Sequence, residues 1–585
     1  MHSCFREAAL AVCLVVAAAA VSPTAGAAGN AGAGSVPVIV RAQPGSLAAA
    51  TRAVRSLGGV VEQRIGLIGG FVAALPVTAI PALQSSPAVA SVSADSRLTL
   101  SQAAADGVDG TDVVDDLGSL YSIRSAIGAD AYWNAGFTGA GVDVALIDSG
   151  VAPVEGLTNP GAVINGPDLS FESQSPSLRY MDTFGHGTHM AGIIAGRDPG
   201  AAAQVNDRGH FLGIAPAARI LSLKVADAFG TTDLSQVLVA MDWVVKHRAD
   251  RGMNIRVLNL SFGTDSTQAY TVDPLAFAVE MAWRKGIFVV VSAGNNGYGS
   301  PKLNDPADDP FVMAVGASDN NGTQTTADDV VASFSSVGDS SRHPDLVAPG
   351  RSVVSLRDPG SFIDTQYPGG RWGLTPRLFR GSGTSQATAV VSGAAALIIQ
   401  QRPTITPDQL KKLLTSTAAH LPQADSLAQG AGLIDLAAAL RTATPAYKQR
   451  WRPATGKGSL EMARGSLHLY DQAVSLVGEK DIFGKAFDSA SWSAKSSAGN
   501  SFQNGLWMGE GWTGLGWTGR SWTGASWAGR SWTGGDWAGR SWTSAAWTGR
   551  SWTSAGWTGG AWTGRSWTSS TWSGNTWSSA DWGGP

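Results

Sequence analysis

Cysteine is almost absent. The chain has 585 residues and only two cysteines, Cys4 and Cys13, both inside its first 13 positions. Without that stretch the chain has no thiol, so it can build no disulfide and no cysteine-based metal or redox site, and its stability must come from core size or bound ions. An excess of either charge is also missing. Lys+Arg number 42 and Asp+Glu 45, for a net charge of -3, which gives no electrostatic footprint for a polyanion, so no nucleic-acid partner is expected. After Ala8–Val21 no apolar run is long enough to read as a membrane span. His186 and His189 stand three apart, without the HExxH spacing of a zinc hydrolase, and no loop has the EF-hand pattern of a calcium site. Gly136, Gly139 and Gly141 precede a strand instead of following one, the wrong order for a dinucleotide-binding turn.

Several features are present. Arg6 and Glu7 lead into the uncharged stretch Ala8–Val21, and Ala25-Gly26-Ala27 offers small residues for cleavage. Residues 1–27 therefore read as a secretory signal peptide, with an extracellular destination and no membrane span in the mature protein. Residues 28–120 read as a small α+β domain and a connector. Strands are expected at 36–41, 60–65, 70–75 and 89–92, and helices at 46–57 and from 80. The polar, acidic stretch 103–118 has no periodicity and reads as an exposed connector, open to cleavage.

Residues 121–443 alternate short apolar runs with amphipathic stretches. The runs 142–147, 220–225, 257–262, 287–291 and 311–315 are continuous and β-branched, as in strands buried on both faces. Helices are expected at 188–195, 234–251, 274–285 and 386–401. This pattern predicts an α/β fold, a mostly parallel sheet with helices on both faces, whose ligands gather at the carboxyl ends of the strands. Three reactive groups stand at such places. Asp148 ends the first strand, His186 opens a helix within Asp182-Thr-Phe-Gly-His186-Gly-Thr-His189, and Ser385 opens the apolar helix within Gly381-Ser-Gly-Thr-Ser385-Gln-Ala-Thr-Ala389. Ser385 alone reads more readily as a helix cap. Together the three suit acyl transfer: the imidazole takes the hydroxyl proton, and the carboxylate holds the imidazole and stabilises its cation.

In their order and separations the motifs Asp148-Ser-Gly, His186-Gly-Thr-His, Ser292-Ala-Gly-Asn295 and Gly383-Thr-Ser385 resemble the subtilisin-like serine proteases, the subtilase family, over roughly residues 121–440. The resemblance implies Ser385 as nucleophile, His186 as base and then acid, Asp148 as the orienting carboxylate and Asn295 as oxyanion donor. It implies one substrate wall from Ser261, Phe262 and Gly263 and another from Ser292, Ala293 and Gly294. Protein or peptide substrates follow, with no cofactor required for the chemistry. Family members often carry structural calcium; here the metal ligands stay unassigned, Asp305, Asp308 and Asp309 being too scattered to name as such. The small domain resembles the family's propeptide, an inhibitor and folding aid cleaved off between about residues 98 and 121. Gln386-Ala-Thr-Ala389 departs from the family's usual residues after the serine and lacks its proline. The stretches 200–211 and 351–380 read as long loops, able to shape substrate access.

Residues 444–503 read as a linker and 504–585 as a repeat tail. From Trp507 to Trp582 every fifth residue is tryptophan, a period that fits neither a helical stripe nor one face of a strand. A solenoid, a two-faced β array and a flexible tail all fit. Stacking indoles with Arg520, Arg530, Arg540, Arg550 and Arg565 suit a cell wall or polysaccharide partner, and a low-complexity tail with no specific ligand is the competing reading. Two functions are therefore carried forward. One is a secreted serine endopeptidase matured by propeptide cleavage. The other is a surface-binding repeat protein whose protease domain only processes itself or is inactive.

Overall fold

Runs of β-branched residues such as Val144–Ile147 and Val289–Val291 have no polar face to turn to water, so they are stable only inside a sheet covered on both sides. That requirement sets the architecture. The computed structural model describes residues 35–94 and 114–511, apart from short interruptions, together with residues 581–582. The expected signal peptide, most of the connector and the repeats between 512 and 580 lie outside the described residues. The chain divides into two units, Met1–Ser101 and Gln102–Pro585.

The first unit comprises β1 (Ser35–Ala42), α1 (Leu47–Ser56), β2 (Val60–Ile65), β3 (Gly70–Pro76), α2 (Ile80–Gln84) and β4 (Val89–Ala94). Its strands form one antiparallel sheet in the order β2-β3-β1-β4. Ala50 and Val54, one turn apart on α1, are buried with Val38, Val40, Phe71 and Leu83 in a core of its own.

The second unit opens with α3 (Leu120–Ala126) and α4 (Ala129–Asn134), followed by β5 (Asp143–Asp148), β6 (Val163–Asp168), α5 (His186–Ala195), β7 (Arg219–Lys224), α6 (Leu234–His247), β8 (Ile255–Leu260), α7 (Pro274–Arg284) and β9 (Phe288–Ser292). Then come β10 (Met313–Asp319), β11 (Val330–Val331), β12 (Leu346–Pro349), β13 (Val353–Leu356), α8 (Phe362–Gln366), β14 (Leu378–Ser382) and α9 (Thr384–Gln401). Eight strands form the main sheet in the order β11-β10-β9-β8-β5-β7-β6, with β12 on β10, and every pairing is parallel except β10 with β11. The chain leaves β5 for β6 and β7 on one side and crosses to β8 on the other. The crevice of such a sheet therefore opens at the carboxyl end of β5. In α9 every residue from Thr384 to Ile399 is buried, because the helix lies across β8, β9, β10 and β12 and against α5.

Three stretches differ from expectation. Residues 351–380, read as a loop, contain β13, α8 and most of β14. Short strands paired to each other, and not to the main sheet, leave no long apolar run to detect. The fixed structure also starts before residue 121: buried Asp116 accepts from Trp372 Nε1 at 2.6 Å and pairs with Arg380, and Val354 N–H donates to Gly118 O at 2.8 Å.

The third difference is residues 444–503, which do not form a free linker. After α10 (Pro407–Thr417), α11 (Ser426–Gln429) and α12 (Leu436–Arg441), the chain makes α13 (Leu460–Arg464), a short hairpin β15 (Tyr470–Asp471) and β16 (Val474–Ser475), α14 (Ser489–Ser497), and β17 (Phe502–Gln503), β18 (Leu506–Trp507) and β19 (Glu510–Gly511). A few deep anchors fasten this segment to α6 and α7. Arg464, fully buried, meets Asp233 at the start of α6 at 2.7 Å. The Asp242 carboxylate, buried in the middle of α6, accepts from Trp492 Nε1 at 2.9 Å, Ser496 Oγ at 2.6 Å and Trp507 Nε1 at 2.7 Å. The Glu280 carboxylate on α7 accepts from Ala454 N–H at 2.6 Å. Trp507, the first of the period-five tryptophans, is thus a core residue stacked on Phe487.

Removing one partner of a buried ion pair strands the other charge, so Arg464→Ala is expected to lower the unfolding free energy by about 3–5 kcal/mol in urea titrations. A chain ended at residue 443 is expected not to reach the native fold, measured by the loss of its cooperative unfolding transition in urea.

Candidate active site

Asp148 is the last residue of β5 and is wholly buried. The turn that follows holds it still: Ser149 N–H donates to Asp148 Oδ1 at 2.7 Å. His186, the first residue of α5 and also wholly buried, points Nδ1 at both carboxylate oxygens, at 2.8 and 2.9 Å. Because a carboxylate only accepts, Nδ1 carries the proton and Nε2 is the basic nitrogen in the neutral ring. Burial pushes the Asp148 carboxyl up, against the opposing pull of His186 and of the Ser149 amide. Gly187 makes this approach possible, since a Cβ there would run into Gly150 O and lie 3.2 Å from Asp148 Oδ1.

Two residues not singled out for the site brace this pair. The Asp182 carboxylate accepts from the amides of Gly185 and Thr188, each at 2.7 Å, capping the amino end of α5 where negative charge is favoured. It also accepts from Ser149 Oγ at 2.7 Å, and Ser149 Oγ in turn accepts from Gly187 N–H at 2.9 Å. Lys224 pairs in register with Asp148 across β5 and β7. Its buried ammonium meets Glu172 at 2.8 Å and donates to Ser149 O at 3.0 Å and Met181 O at 2.6 Å, tying the two loops together. A lysine at the end of a largely apolar, buried strand was the visible signal for it. His189, one turn along α5, has its pKa lowered to about 3 by burial and by His186, and its neutral ring donates from Nε2 to Phe379 O at 3.1 Å.

Ser385 is the second residue of α9, in the first turn, where backbone N–H groups lack helical acceptors. Asn295 lies beside it. Its Oδ1 accepts from Thr384 N–H and Thr384 Oγ1, both at 2.9 Å, so the NH2 end of the carboxamide is directed away from Thr384. Ser392 Oγ on α9 donates to Asn259 Oδ1 at 2.9 Å, Asn259 Nδ2 donates to Ser261 Oγ at 3.1 Å, and Ser261 Oγ donates to Ser385 O at 3.4 Å. This chain of bonds fixes the serine helix against the end of β8. Gln386 and Ala389 are both buried within α9, whose first turns run without a proline.

The two expected substrate walls extend from neighbouring strand ends. Ser261, Phe262 and Gly263 follow β8; Ser292 ends β9, and Ala293 and Gly294 follow it. Phe262 and Ala293 are wholly buried in the main core, so they offer backbone, not side chain, to a ligand. Asn304 was not anticipated here. Its N–H donates to Ala293 O at 3.3 Å, its neighbour Asp305 exchanges backbone bonds with Thr264 at 2.8 and 2.9 Å, and it accepts from Asn296 Nδ2 at 2.9 Å. A Cβ on Gly294, whose φ is +107°, would strike Asn304 Oδ1, and one on Gly263 would lie 2.9 Å from Asn304 Cβ. Asn304 therefore fills the space between the walls, and both glycines are needed for it to fit.

Below that floor Asp305 and Asp309 are wholly or nearly wholly buried and Asp308 is half-buried. No group of three or more His, Cys, Asp or Glu among the described residues is arranged to hold a metal ion. The protons of these aspartates carry a different consequence. Burial and then Asp273 push Asp308 up to about 7, and burial and neighbouring carboxylates hold Asp305 and Asp309 well above the usual range. Burial likewise raises Asp227 to about 7 and Asp358 to about 8. Aspartates in the unfolded chain titrate near pH 4. The stability linked to these groups is fully present below about pH 4 and is lost as the pH rises through 7–8, at roughly 1.4 kcal/mol per pH unit for each proton released only on unfolding. The melting temperature is expected to fall from pH 6 to pH 9 in scanning fluorimetry, with a shallower fall for Asp308→Asn.

Residues 139–432 match the subtilase family, Peptidase S8. Among curated proteins, the chain is 37% identical over 304 residues to Serine protease AprX of Bacillus subtilis (strain 168), covering 51% of this chain and 66% of that protein. It is 35% identical over 317 residues to Subtilisin Savinase of Lederbergia lenta, covering 54% of this chain and 97% of that protein. With Subtilisin NAT of Bacillus subtilis subsp. natto it shares 32% over 386 residues, 65% of this chain and 83% of the relative. The chain belongs to the subtilase family, the subtilisin-like serine proteases.

Proposed function

We propose that the protein is a secreted serine endopeptidase that hydrolyses peptide bonds in proteins through an acyl-enzyme on Ser385. The observation that carries this is the wholly buried Asp148–His186 pair, at 2.8 Å, with His186 on the helix packed against the one whose first turn holds Ser385. His186 Nε2 takes the hydroxyl proton of Ser385 as its oxygen attacks the substrate carbonyl, and Asp148 stabilises the imidazolium. The Ser385 N–H and the Asn295 NH2 group meet the negative oxygen of the tetrahedral state. Collapse breaks the C–N bond, and the leaving amine takes the proton from His186. Water then enters, giving one proton to His186 as its oxygen bonds to the acyl carbon; the C–Oγ bond breaks, Ser385 Oγ takes that proton back from His186, and the acid product departs. Ser261–Gly263 and Ser292–Gly294 hold the substrate backbone on the acyl side, and Asn304 limits the depth of the pocket between them.

Ser385→Ala is expected to abolish casein hydrolysis by the purified protein, and equal hydrolysis by variant and wild type would refute the assignment. Asn295→Ala is expected to lower kcat about 10²–10³-fold with a smaller change in KM, the magnitude being that established for this donor in subtilisin.

In this reading Met1–Ser101 supplies the signal segment and an inhibitory propeptide, and maturation removes it. A parallel sheet is assembled from distant segments and folds slowly, so a folding aid supplied by the same chain helps. The buried Asp116 contacts support a cut on the amino side of Val114, narrowing the window of 98–121. N-terminal sequencing of the secreted protein is expected to start between residues 98 and 114; a start beyond Asp116 would contradict this.

A further inference from the structure

The strand that leads into the nucleophile already has a polypeptide on its open edge. One edge of β14 pairs with β13, from Val353↔Gly381 to Leu356↔Leu378. On its other edge Arg371 bridges Phe379, and beyond that bridge β20 (Asp581–Trp582) pairs antiparallel, Ser382 with Asp581 and Gly381 with Trp582. Asp581–Trp582 is the end of the period-five tryptophan series, and it is the part of that series after residue 511 that the structure describes.

The edge it occupies borders the site. Ser382 is three residues from Ser385, at most about 10 Å of extended chain. Its side of the site follows from the histidines. β14 is fastened to α5 by the bond from His189 Nε2 to Phe379 O, and His189 stands one turn from His186 on that helix. The edge therefore lies on the histidine side of the serine, where a leaving amine collects its proton, whereas the Ser261–Gly263 and Ser292–Gly294 walls hold the acyl side. Direction agrees as well. β14 runs toward Ser385, so an antiparallel partner runs away from it, with Asp581 nearer the serine than Trp582. The leaving half of a substrate runs in that sense.

We infer that residues 581–582 act as a built-in competitor, a β-strand that takes the leaving-group side of the substrate cleft and must give way before an extended polypeptide can bind. The inference rests on Ser385 being the nucleophile. Main-chain pairing makes the competition insensitive to substrate sequence, and tethering supplies a high effective concentration for so short a strand.

Three forms are compared: the full chain, the chain lacking residues 579–585, and the full chain with Asp581→Pro and Trp582→Pro, which removes the N–H that faces β14, whichever of the two residues carries it, without shortening the chain. Active serines are first counted with a phosphonylating reagent. A peptide p-nitroanilide, with no residues beyond its leaving group, is expected to be cleaved at the same rate per active serine by all three. Peptides with three or more residues after the scissile bond are expected to show KM values lower by roughly three- to tenfold for both altered forms, with kcat unchanged. A synthetic peptide of residues 577–585 should raise KM again for the shortened form. Equal KM values for the long peptides in all three forms, or no competition by the synthetic peptide, would overturn the inference. Failure of the serine reagent or the p-nitroanilide in every form would instead refute the nucleophile assignment.

Discussion

The site depends on keeping a carboxylate and an imidazole together where water does not reach. Asp148 and His186 are both wholly buried, 2.8 Å apart, and a buried charge is costly unless its partners are fixed. The surrounding structure supplies that fixity. Asp182 caps the helix that carries His186 and accepts the Ser149 hydroxyl, while Lys224 bonds to the carbonyls of Ser149 and Met181. None of these groups need touch a substrate. They set the ring orientation, and with it which nitrogen is turned to Asp148.

The same logic explains why the sheet and the helix α9 are so apolar. A hydroxyl must be presented at a fixed point, and a helix start buried on all sides has little freedom to shift. The bonds Ser392–Asn259–Ser261–Ser385 then couple the serine helix to the wall of the cleft. On α6 and α7 the segment up to residue 511 does comparable work through Arg464, Trp492 and Trp507. It gives the described residues, which include no cysteine, a second set of long-range ties.

Much of this was legible in the chain. The main strands and helices announced themselves as continuous β-branched runs and helical periods, and they lie within a few residues of where those patterns put them. The Asp148, His186 and Ser385 positions were legible because strand ends and helix starts are where an α/β sheet gathers chemistry. Residues 444–511 were not, because isolated anchors carry no period: Arg464 meets Asp233 across 231 positions, and nothing near either residue marks the other. Residues 351–380 hid β13 and β14 for a related reason, since short strands paired mainly to each other do not need long apolar runs. Asn304 escaped because its role is steric, visible only once Gly263 and Gly294 are seen on either side of it.

The account turns on Ser385 being activated by His186. Reaction of the intact protein with a serine-directed phosphonate, followed by peptide mass mapping, tests this most directly. The account predicts one adduct per chain, on the peptide containing Ser385, and its loss in His186→Ala. An adduct on another residue, or undiminished labelling of Ser385 in His186→Ala, would contradict it.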